Sequence, residues 1–417
     1  MATIPSISLI PSGYKAGKVY SVLPTDGSAD FDFSRNTTAT RTNKDGLIEA
    51  VTGNTPRLDY PLINGVVNGC PSLLLEPQRT NNLVQSNQFN TSWGVPNVIT
   101  LNGNQLSSLS GGLDAWKLES DGTSAFSAIN QSASVTGTNT FSIYAKAGTN
   151  RYVSLRGLGG LDVRAQFDLI NGEVYGSSNA VSTKINHIKD GWYRCTVTFD
   201  ASNSLFYIYP MIQGVADAGS IYIQYSQLEA GSYASSYIPT SASAQTRLAE
   251  TANNAGDAST FNDSEGVLML ETSPLDSEST NKMITTSNGS SSTRILIRYV
   301  GTTLLAQLRI SGANQYEFSY NPTDIKDNFK IALKYKANDF SFFVNGFELD
   351  SSNSGSTFSD GTLTELAFDD GSGSSPFYGN TKQLQYYKTA LTDLELETLT
   401  SYTSFNAMAL ALNYTIQ

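Results

Sequence analysis

Along most of the chain, apolar residues alternate with polar ones at a period of two, which is the pattern of half-buried β-strands. Segments 141–146, 192–199 and 330–336 show it most clearly. In the second segment, Cys195 and Val197 share one side, and Trp192 and polar side chains occupy the other. Turn signals separate such segments, so the chain is predicted to be all-β.

The first part of the chain lacks such regular segments. Residues 1–32 alternate only loosely and contain several prolines, which predicts an extended arm with one or two edge strands. Residues 33–82 consist of short apolar pieces between turn signals, with arginines placed beside acidic residues. Because such a segment buries little of its own surface, we expect it to be ordered by packing on something larger. Residues 1–86 are therefore predicted to be an N-terminal arm and attachment or connector module.

Two antiparallel β-sandwiches of jelly-roll type are predicted to follow, at residues 87–245 and 246–417. A small, polar stretch at 241–260 marks a linker or the first edge of the second sandwich. Thr392 and Glu395 have the spacing of a helix capping box. The tail AMALALNYTIQ is apolar enough to add a strand or to pack against a neighbouring subunit.

Composition and charge disfavour some classes of binding partner. The 417 residues fit two or three domains. With 37 acidic and 26 basic side chains, the net charge of −11 disfavours nucleic acid and anionic membrane surfaces as partners. No apolar run approaches the ~20 residues of a membrane span, and the start does not resemble a secretory signal. We expect synthesis in a cytoplasm without export or membrane insertion.

Three strings in the N-terminal module carry a resemblance: FSRNTTATRTNKDGLIE, NTPRLDYP and CPSLLLEPQRTNN. They resemble the N-terminal module of bacteriophage virion appendage proteins, which include head fibres, tail fibres and spikes. The resemblance implies a surface-exposed virion protein, assembled in the host cytoplasm as a homotrimer. It also implies that the N-terminal region binds other virion proteins and that sandwiches similar to carbohydrate-binding modules follow. The last 170 or so residues resemble concanavalin-like or laminin-G-like lectin sandwiches.

Sugar binding is the chemistry that the sequence favours most. Pyranose rings stack on aromatic side chains, while polar side chains bind the hydroxyls. The alternative for each aromatic side chain is burial in a core or against a sister subunit. The glycan-binding candidates lie in the first predicted sandwich and are Trp93, Trp116, Trp192, Tyr207, Tyr209 and Tyr222.

A calcium site is a further candidate, because a hard cation prefers carboxylate and carbonyl oxygens. The ligands would be Asp360, Asp369 and Asp370, the last two in the loop DDGSGS. The alternative is a plain turn. The protein is predicted to require no cofactor, with calcium as the one candidate ligand ion.

No catalytic residue is assigned. The single histidine, His187, has no nucleophile motif beside it, and Cys70 and Cys195 lack metal-ligand spacing. Glycoside cleavage needs only two facing carboxylates, but the candidates Asp162, Asp168 and Glu173 have no distinguishing arrangement.

The sequence therefore predicts a non-enzymatic, structural virion protein that displays lectin-like sandwiches for adhesion to host-surface polysaccharide. The first alternative is a purely structural capsid or tail decoration that binds no sugar. A glycan-degrading tail spike is the second alternative.

Overall fold

A computed structural model of the protein describes residues 3–402. Within this range it confirms the all-β prediction: strands are the main regular structure, and one short helix follows the last strand. The predicted strand or subunit contact at the tail AMALALNYTIQ lies outside the described residues. Among residues 3–402, there is no helix long and apolar enough to span a membrane.

The N-terminal segment forms short strands only. They are β1 (Ile7–Leu9), β2 (Tyr14–Lys15), β3 (Lys18–Val19), β4 (Phe31–Ser34), β5 (Ala39–Thr42), β6 (Ile48–Val51), β7 (Arg57–Asp59), β8 (Leu62–Ile63), β9 (Val66–Val67), β10 (Ser72–Leu75) and β11 (Arg79–Asn81).

The strands of the first sandwich are longer. They are β12 (Ile99–Asn102), β13 (Trp116–Asp121), β14 (Ile129–Val135), β15 (Thr138–Ala147), β16 (Tyr152–Gly159), β17 (Val163–Asp168), β18 (Glu173–Ser178), β19 (Ser182–Lys189), β20 (Trp192–Asp200), β21 (Asn203–Tyr209) and β22 (Ala218–Ala230).

Two short strands then lead into the second sandwich and its helix. These elements are β23 (Gln245–Arg247), β24 (Thr251–Asn253), β25 (Glu265–Pro274), β26 (Lys282–Ser287), β27 (Arg294–Val300), β28 (Thr303–Ile310), β29 (Ala313–Tyr320), β30 (Phe329–Lys336), β31 (Phe340–Val344), β32 (Phe347–Ser352), β33 (Glu365–Ala367), β34 (Gly379–Tyr387) and α1 (Asp393–Thr400).

The first sandwich packs a six-stranded sheet, in the order β12-β13-β22-β15-β20-β19, against a five-stranded sheet, in the order β14-β21-β16-β17-β18. Its strand pairs are antiparallel. Phe141 and Phe206 meet edge to face at the centre, with ring centroids 5.4 Å apart. Cys195 is free and buried in this core, while Cys70 is free and exposed. The alternating positions of the strands thus fill the space between the two sheets.

The second sandwich packs a five-stranded sheet, in the order β29-β28-β27-β26-β33, against an eight-stranded one. The larger sheet runs β32-β31-β30-β25-β34-β10-β7, and β1 also pairs with β34. Helix α1 begins after Thr392, whose hydroxyl accepts a hydrogen bond from the backbone N–H of Glu395. The capping box predicted from the sequence is therefore present.

Strands of the N-terminal segment complete the larger sheet of the second sandwich. Ile7 of β1 is opposite Tyr386, and Leu73 of β10 is opposite Thr381. Both apolar side chains are fully buried in the same core as Leu384. The predicted division of the chain at residues 86 and 245 stays a prediction, but the pairing identifies what the N-terminal segment packs on.

Truncation of Leu73 tests this pairing. Leu73→Ala removes a fully buried side chain and leaves a cavity, so we expect the free energy of unfolding to fall by ~2–5 kcal/mol. The measurement is urea unfolding followed by near-ultraviolet circular dichroism. Ile63→Ala, at a side chain that is 40% exposed in the same segment, is the matched control and should change stability by less than ~0.5 kcal/mol. Equal, small effects of the two substitutions would contradict the pairing.

Candidate functional site

The three tryptophans among the predicted glycan-binding residues are buried. Trp93, Trp116 and Trp192 are 7%, 8% and 2% exposed. Trp93 and Trp116 both pack against Phe89, with centroid distances of 5.3 and 6.2 Å. Their indole N–H groups donate to backbone carbonyls. A sugar ring therefore finds no free indole face here, which is the core alternative weighed from the sequence.

Trp192 faces away from the sandwich core, as the alternation of its strand predicts, yet it is covered. It packs in a second apolar cluster with Leu109, Tyr144 and Tyr237 on the outer face of the six-stranded sheet. Residues of the N-terminal segment reach this cluster, since Ile48 lies against it. Its burial thus comes from packing between distant parts of the chain.

The tyrosines fall on different sheets. Tyr207 and Tyr209 are neighbours on β21, with ring centroids 6.0 Å apart and planes inclined by 28°. Tyr209 is buried, and Tyr207 is half-buried. Tyr222 is half-buried on β22 of the opposite sheet. The six candidate aromatics are therefore not brought together in one site.

Arginine and aspartate side chains surround the tyrosine pair. The guanidinium of Arg156 lies 5.8 Å from the ring centroid of Tyr207, and its Nε donates to Asp162 at 2.7 Å. Hydrogen bonds from Arg164 and Arg156 hold the pKa of Asp162 well below its usual value. Asp162 is therefore an ionised acceptor at neutral pH and is poorly suited to donate a proton as a general acid.

The three aspartates of the predicted calcium site do not form a cluster. Asp369 is buried and accepts a hydrogen bond from the backbone N–H of Gly371 at 2.7 Å. Asp370 accepts from the backbone N–H of Ser372 at 2.9 Å, and Asp360 is exposed. Within residues 3–402, no group of three or more histidine, cysteine or acidic side chains is placed to hold a metal ion. A calcium ion at this loop stays a prediction.

The motif strings of the N-terminal segment supply a buried network of charges. Arg35, Arg57 and Glu76 come from these strings, whereas Arg247 and Glu250 follow the first sandwich. All five side chains are at most 3% exposed. Sequence reasoning noted the arginines beside acidic residues but missed Arg247 and Glu250, whose only signal is a charged TRLAE segment within a small, polar stretch.

Arg57 lies at the centre of this network. It donates from Nη1 to Glu76 at 2.7 Å and from Nε to Glu250 at 2.9 Å. Arg35 also donates to Glu250, at 2.6 Å, and Arg247 lies 2.8 Å from Glu76. Burial opposes the charge on Arg57, but Glu250 and Glu76 outweigh it and raise the pKa of Arg57 above its usual value. We call these five residues the junction.

The junction also binds the segment that closes the first sandwich. The backbone N–H and the hydroxyl of Ser236 donate to Glu76 at 2.8 and 2.6 Å. Thr40 donates to the carbonyl of Tyr237 at 2.6 Å, and the amide of Asn81 donates to the carbonyl of Ile238 at 2.9 Å. The segment GSYASSYIPT, residues 231–240, is thus held by the N-terminal strings.

A polar cleft remains beside the junction, on the outer face of the six-stranded sheet. Its volume is about 230 Å³. Three antiparallel pairs of β19 and β20 form its floor, and residues 232–234 with Leu275 form its walls. The floor pairs are Ser182 with Thr198, Lys184 with Thr196, and Asn186 with Arg194. We call it the β19–β20 cleft.

Two polar atoms at the β19–β20 cleft stand out. In the part of the chain that the structure describes, the hydroxyl of Tyr233 and Nε of Arg194 are buried without a hydrogen-bond partner. The other guanidinium nitrogens of Arg194 donate to the carbonyl of Ser235 at 2.7 Å and to the hydroxyl of Ser142 at 3.1 Å. Arg194 is thereby fixed in position, which suits a side chain that binds a ligand.

No protein-family model matches the chain, and no curated protein matches it in sequence. Among solved structures, it is similar to the CBM40 of a Ruminococcus gnavus IT-sialidase bound to alpha2,3 sialyllactose, with 16% identity over 36% of this chain and 94% of that one, at a TM-score of 0.31. Domain 4 of AbnA, a GH43 extracellular arabinanase from Geobacillus stearothermophilus in complex with arabinotriose, matches with 14% identity over 41% and 84% of the two chains, at 0.29. The binding domain of botulinum neurotoxin serotype G matches with 9% identity over 60% and 50%, at 0.28. Similarities this weak identify neither a family nor a ligand for the chain.

Neutralising Glu76 tests the junction. Glu76→Gln leaves Arg57 and Arg247 buried with one carboxylate fewer, so we expect the free energy of unfolding to fall by ~3–5 kcal/mol. Glu49→Gln breaks the ion pair of Glu49 with Arg41, in which the Glu49 side chain is 38% exposed, and should cost less than ~1 kcal/mol. Denaturant unfolding of both variants measures the difference. A loss for Glu76→Gln no larger than that of the control would show that the junction contributes little.

Acid should weaken the stabilising effect of Glu76 in the junction. Burial alone would raise the pKa of Glu76, but Arg247, Arg57 and Ser236 hold it well below the usual value of 4.5. Its stabilising effect is therefore complete above that value and is lost as the pH falls towards the lowered pKa of the folded state. We expect the gap in unfolding free energy between the wild type and Glu76→Gln to narrow between neutral pH and about pH 3. Denaturant titrations across this range measure the gap, and a constant or widening gap would be inconsistent with a lowered pKa.

Proposed function

We propose that the chain is a non-enzymatic subunit of a bacteriophage virion appendage that holds two β-sandwiches in a fixed arrangement and uses them for adhesion to host-surface glycans. The junction is the observation that carries the proposal. The strings that resemble phage appendage proteins supply three of its five charges, and those charges bind the end of the first sandwich and the start of the second. A module of this kind serves to position domains rather than to catalyse a reaction.

Attachment to the particle is assigned to the N-terminal arm. Several of its apolar side chains are exposed and could bury against a partner protein. They are Ile4, Ile10, Tyr14, Tyr20 and Val22. The junction residues are buried within the chain and are not accessible to a partner protein. We therefore assign the contact with other virion proteins to the exposed side chains of the arm.

Glycan contact is assigned to the β19–β20 cleft rather than to the tryptophans predicted from the sequence. Its hydroxyl, amide and cationic groups are those that bind sugar hydroxyls and substituents. A single cleft of this size binds weakly. Several copies of the cleft, carried by homotrimers on one virion, would raise the apparent affinity by avidity. We propose no catalytic residue and no required cofactor.

A purely structural decoration protein is the second candidate. The burial of Trp93, Trp116, Trp192 and Tyr209 favours it, because these side chains then stabilise cores rather than bind sugar. In that case the β19–β20 cleft would be a surface feature without a ligand.

Adsorption of the full-length protein to host cells separates the two candidates. Fluorescently labelled protein, presented on beads in many copies, should bind cells and release them when purified surface polysaccharide is added. No oligosaccharide should be released during incubation with the polysaccharide. Multivalent beads that fail to bind would favour the decoration protein, and released oligosaccharide would contradict the non-enzymatic assignment.

A further inference from the structure

We propose that the β19–β20 cleft binds a single carboxylate-bearing sugar unit, so that the host glycan recognised is an acidic polysaccharide. This inference rests on the proposed function, since it names the ligand class of the same surface.

The charge of the cleft favours an anionic ligand. Lys184 is exposed on β19, and Arg194 lies on the neighbouring strand, two residues from Thr196, the register partner of Lys184. Side chains in such diagonal positions are roughly 7–8 Å apart at their bases, so the positive charge of Arg194, which Ser235 and Ser142 hold in place, adds to the attraction of Lys184 for a carboxylate. Glu76 also lines the cleft, but its charge is already paired with Arg57 and Arg247.

The remaining groups favour a sugar over a bare anion. Hydroxyls of Ser182 and Thr196 and the amide of Asn186 line the cleft, and such groups pair with sugar hydroxyls. Burial raises the pKa of Tyr233, so its unpartnered hydroxyl stays protonated and can donate to a ligand oxygen. Leu275 provides an apolar wall for the carbon face of the ring.

Size and overall charge limit the ligand to one unit of a sparsely charged chain. The volume of about 230 Å³ lies below the ~300–1,000 Å³ of sites for drug-sized ligands. The net charge of −11 repels dense polyanions such as nucleic acids at long range. A polysaccharide with one carboxylate per repeat fits both constraints.

Binding of glucuronic acid, glucose and acetate to the full-length protein, measured by ligand-observed NMR, tests the inference. Glucuronic acid differs from glucose only by its carboxylate at C6, and acetate supplies a carboxylate without a ring. We expect glucuronic acid to bind at least ~10-fold more tightly than either probe, because a charge-assisted pair contributes about twice as much as a neutral hydrogen bond. Added salt should weaken its binding.

Two variants place the binding in the cleft. Lys184→Gln, at an exposed side chain, and Tyr233→Phe, which keeps the ring, should each weaken glucuronic acid binding, by about 10-fold for the lysine. Lys117→Gln removes the same charge from β13, near the other edge of the same sheet, and should leave binding unchanged. Thermal melting of each variant confirms that it is folded.

Each result decides the inference. No preference for glucuronic acid over glucose, no binding of either sugar, or equal effects of Lys184→Gln and Lys117→Gln would overturn it. Acetate binding as tightly as glucuronic acid would overturn the sugar assignment. In each of these cases, cell adsorption of the wild-type, full-length protein would show that the proposed function survives with another binding surface. If the wild type does not adsorb to cells, the proposed function and this inference both fail.

Discussion

A buried arginine between two buried glutamates organises this protein. Arg57 is fully buried, and a cation in that position is tolerated only when carboxylates neutralise it and take its hydrogen bonds. Glu76 follows β10 of the second sandwich, and Glu250 lies 193 residues from Arg57 along the chain. Satisfying one guanidinium therefore requires distant parts of the chain to meet in one arrangement. Ser236 adds the end of the first sandwich to the same arrangement through Glu76.

This constraint also determines which surfaces remain free. The outer face of the six-stranded sheet carries Gln227 and Glu229, which are buried against the segment 231–240 through hydrogen bonds to Ile238 and Ser235. Trp192 and Tyr144 on the same face are buried in a cluster against which Ile48 of the N-terminal strings packs. Polar side chains of β19 and β20 on this face, among them Lys184 and Arg194, line the open β19–β20 cleft. Scaffold and candidate binding surface thus share one sheet.

Local patterns predicted the strands well. The alternating segments 192–199 and 330–336 coincide with β20 and β30 to within a residue at each end, since alternating apolar side chains mark the face of a strand that points into the core. The pairing of Leu73 with Thr381 had no local signal, because it depends on the packing of segments about 300 residues apart. For the same reason, alternation placed Trp192 on the outer side of its strand but did not reveal what covers it. Only part of the junction could be predicted from the sequence, because the arginines of the motif strings stood out while Arg247 and Glu250 did not.

Differential scanning calorimetry of the wild type and of Arg57→Met tests most directly whether the junction couples the two sandwiches. The account predicts one cooperative transition for the wild type. In Arg57→Met, Glu76 and Glu250 lose their shared cation, so the transition should move to lower temperature and separate into two, one for each sandwich. Two transitions already present in the wild type, at temperatures that Arg57→Met leaves unchanged, would contradict the account.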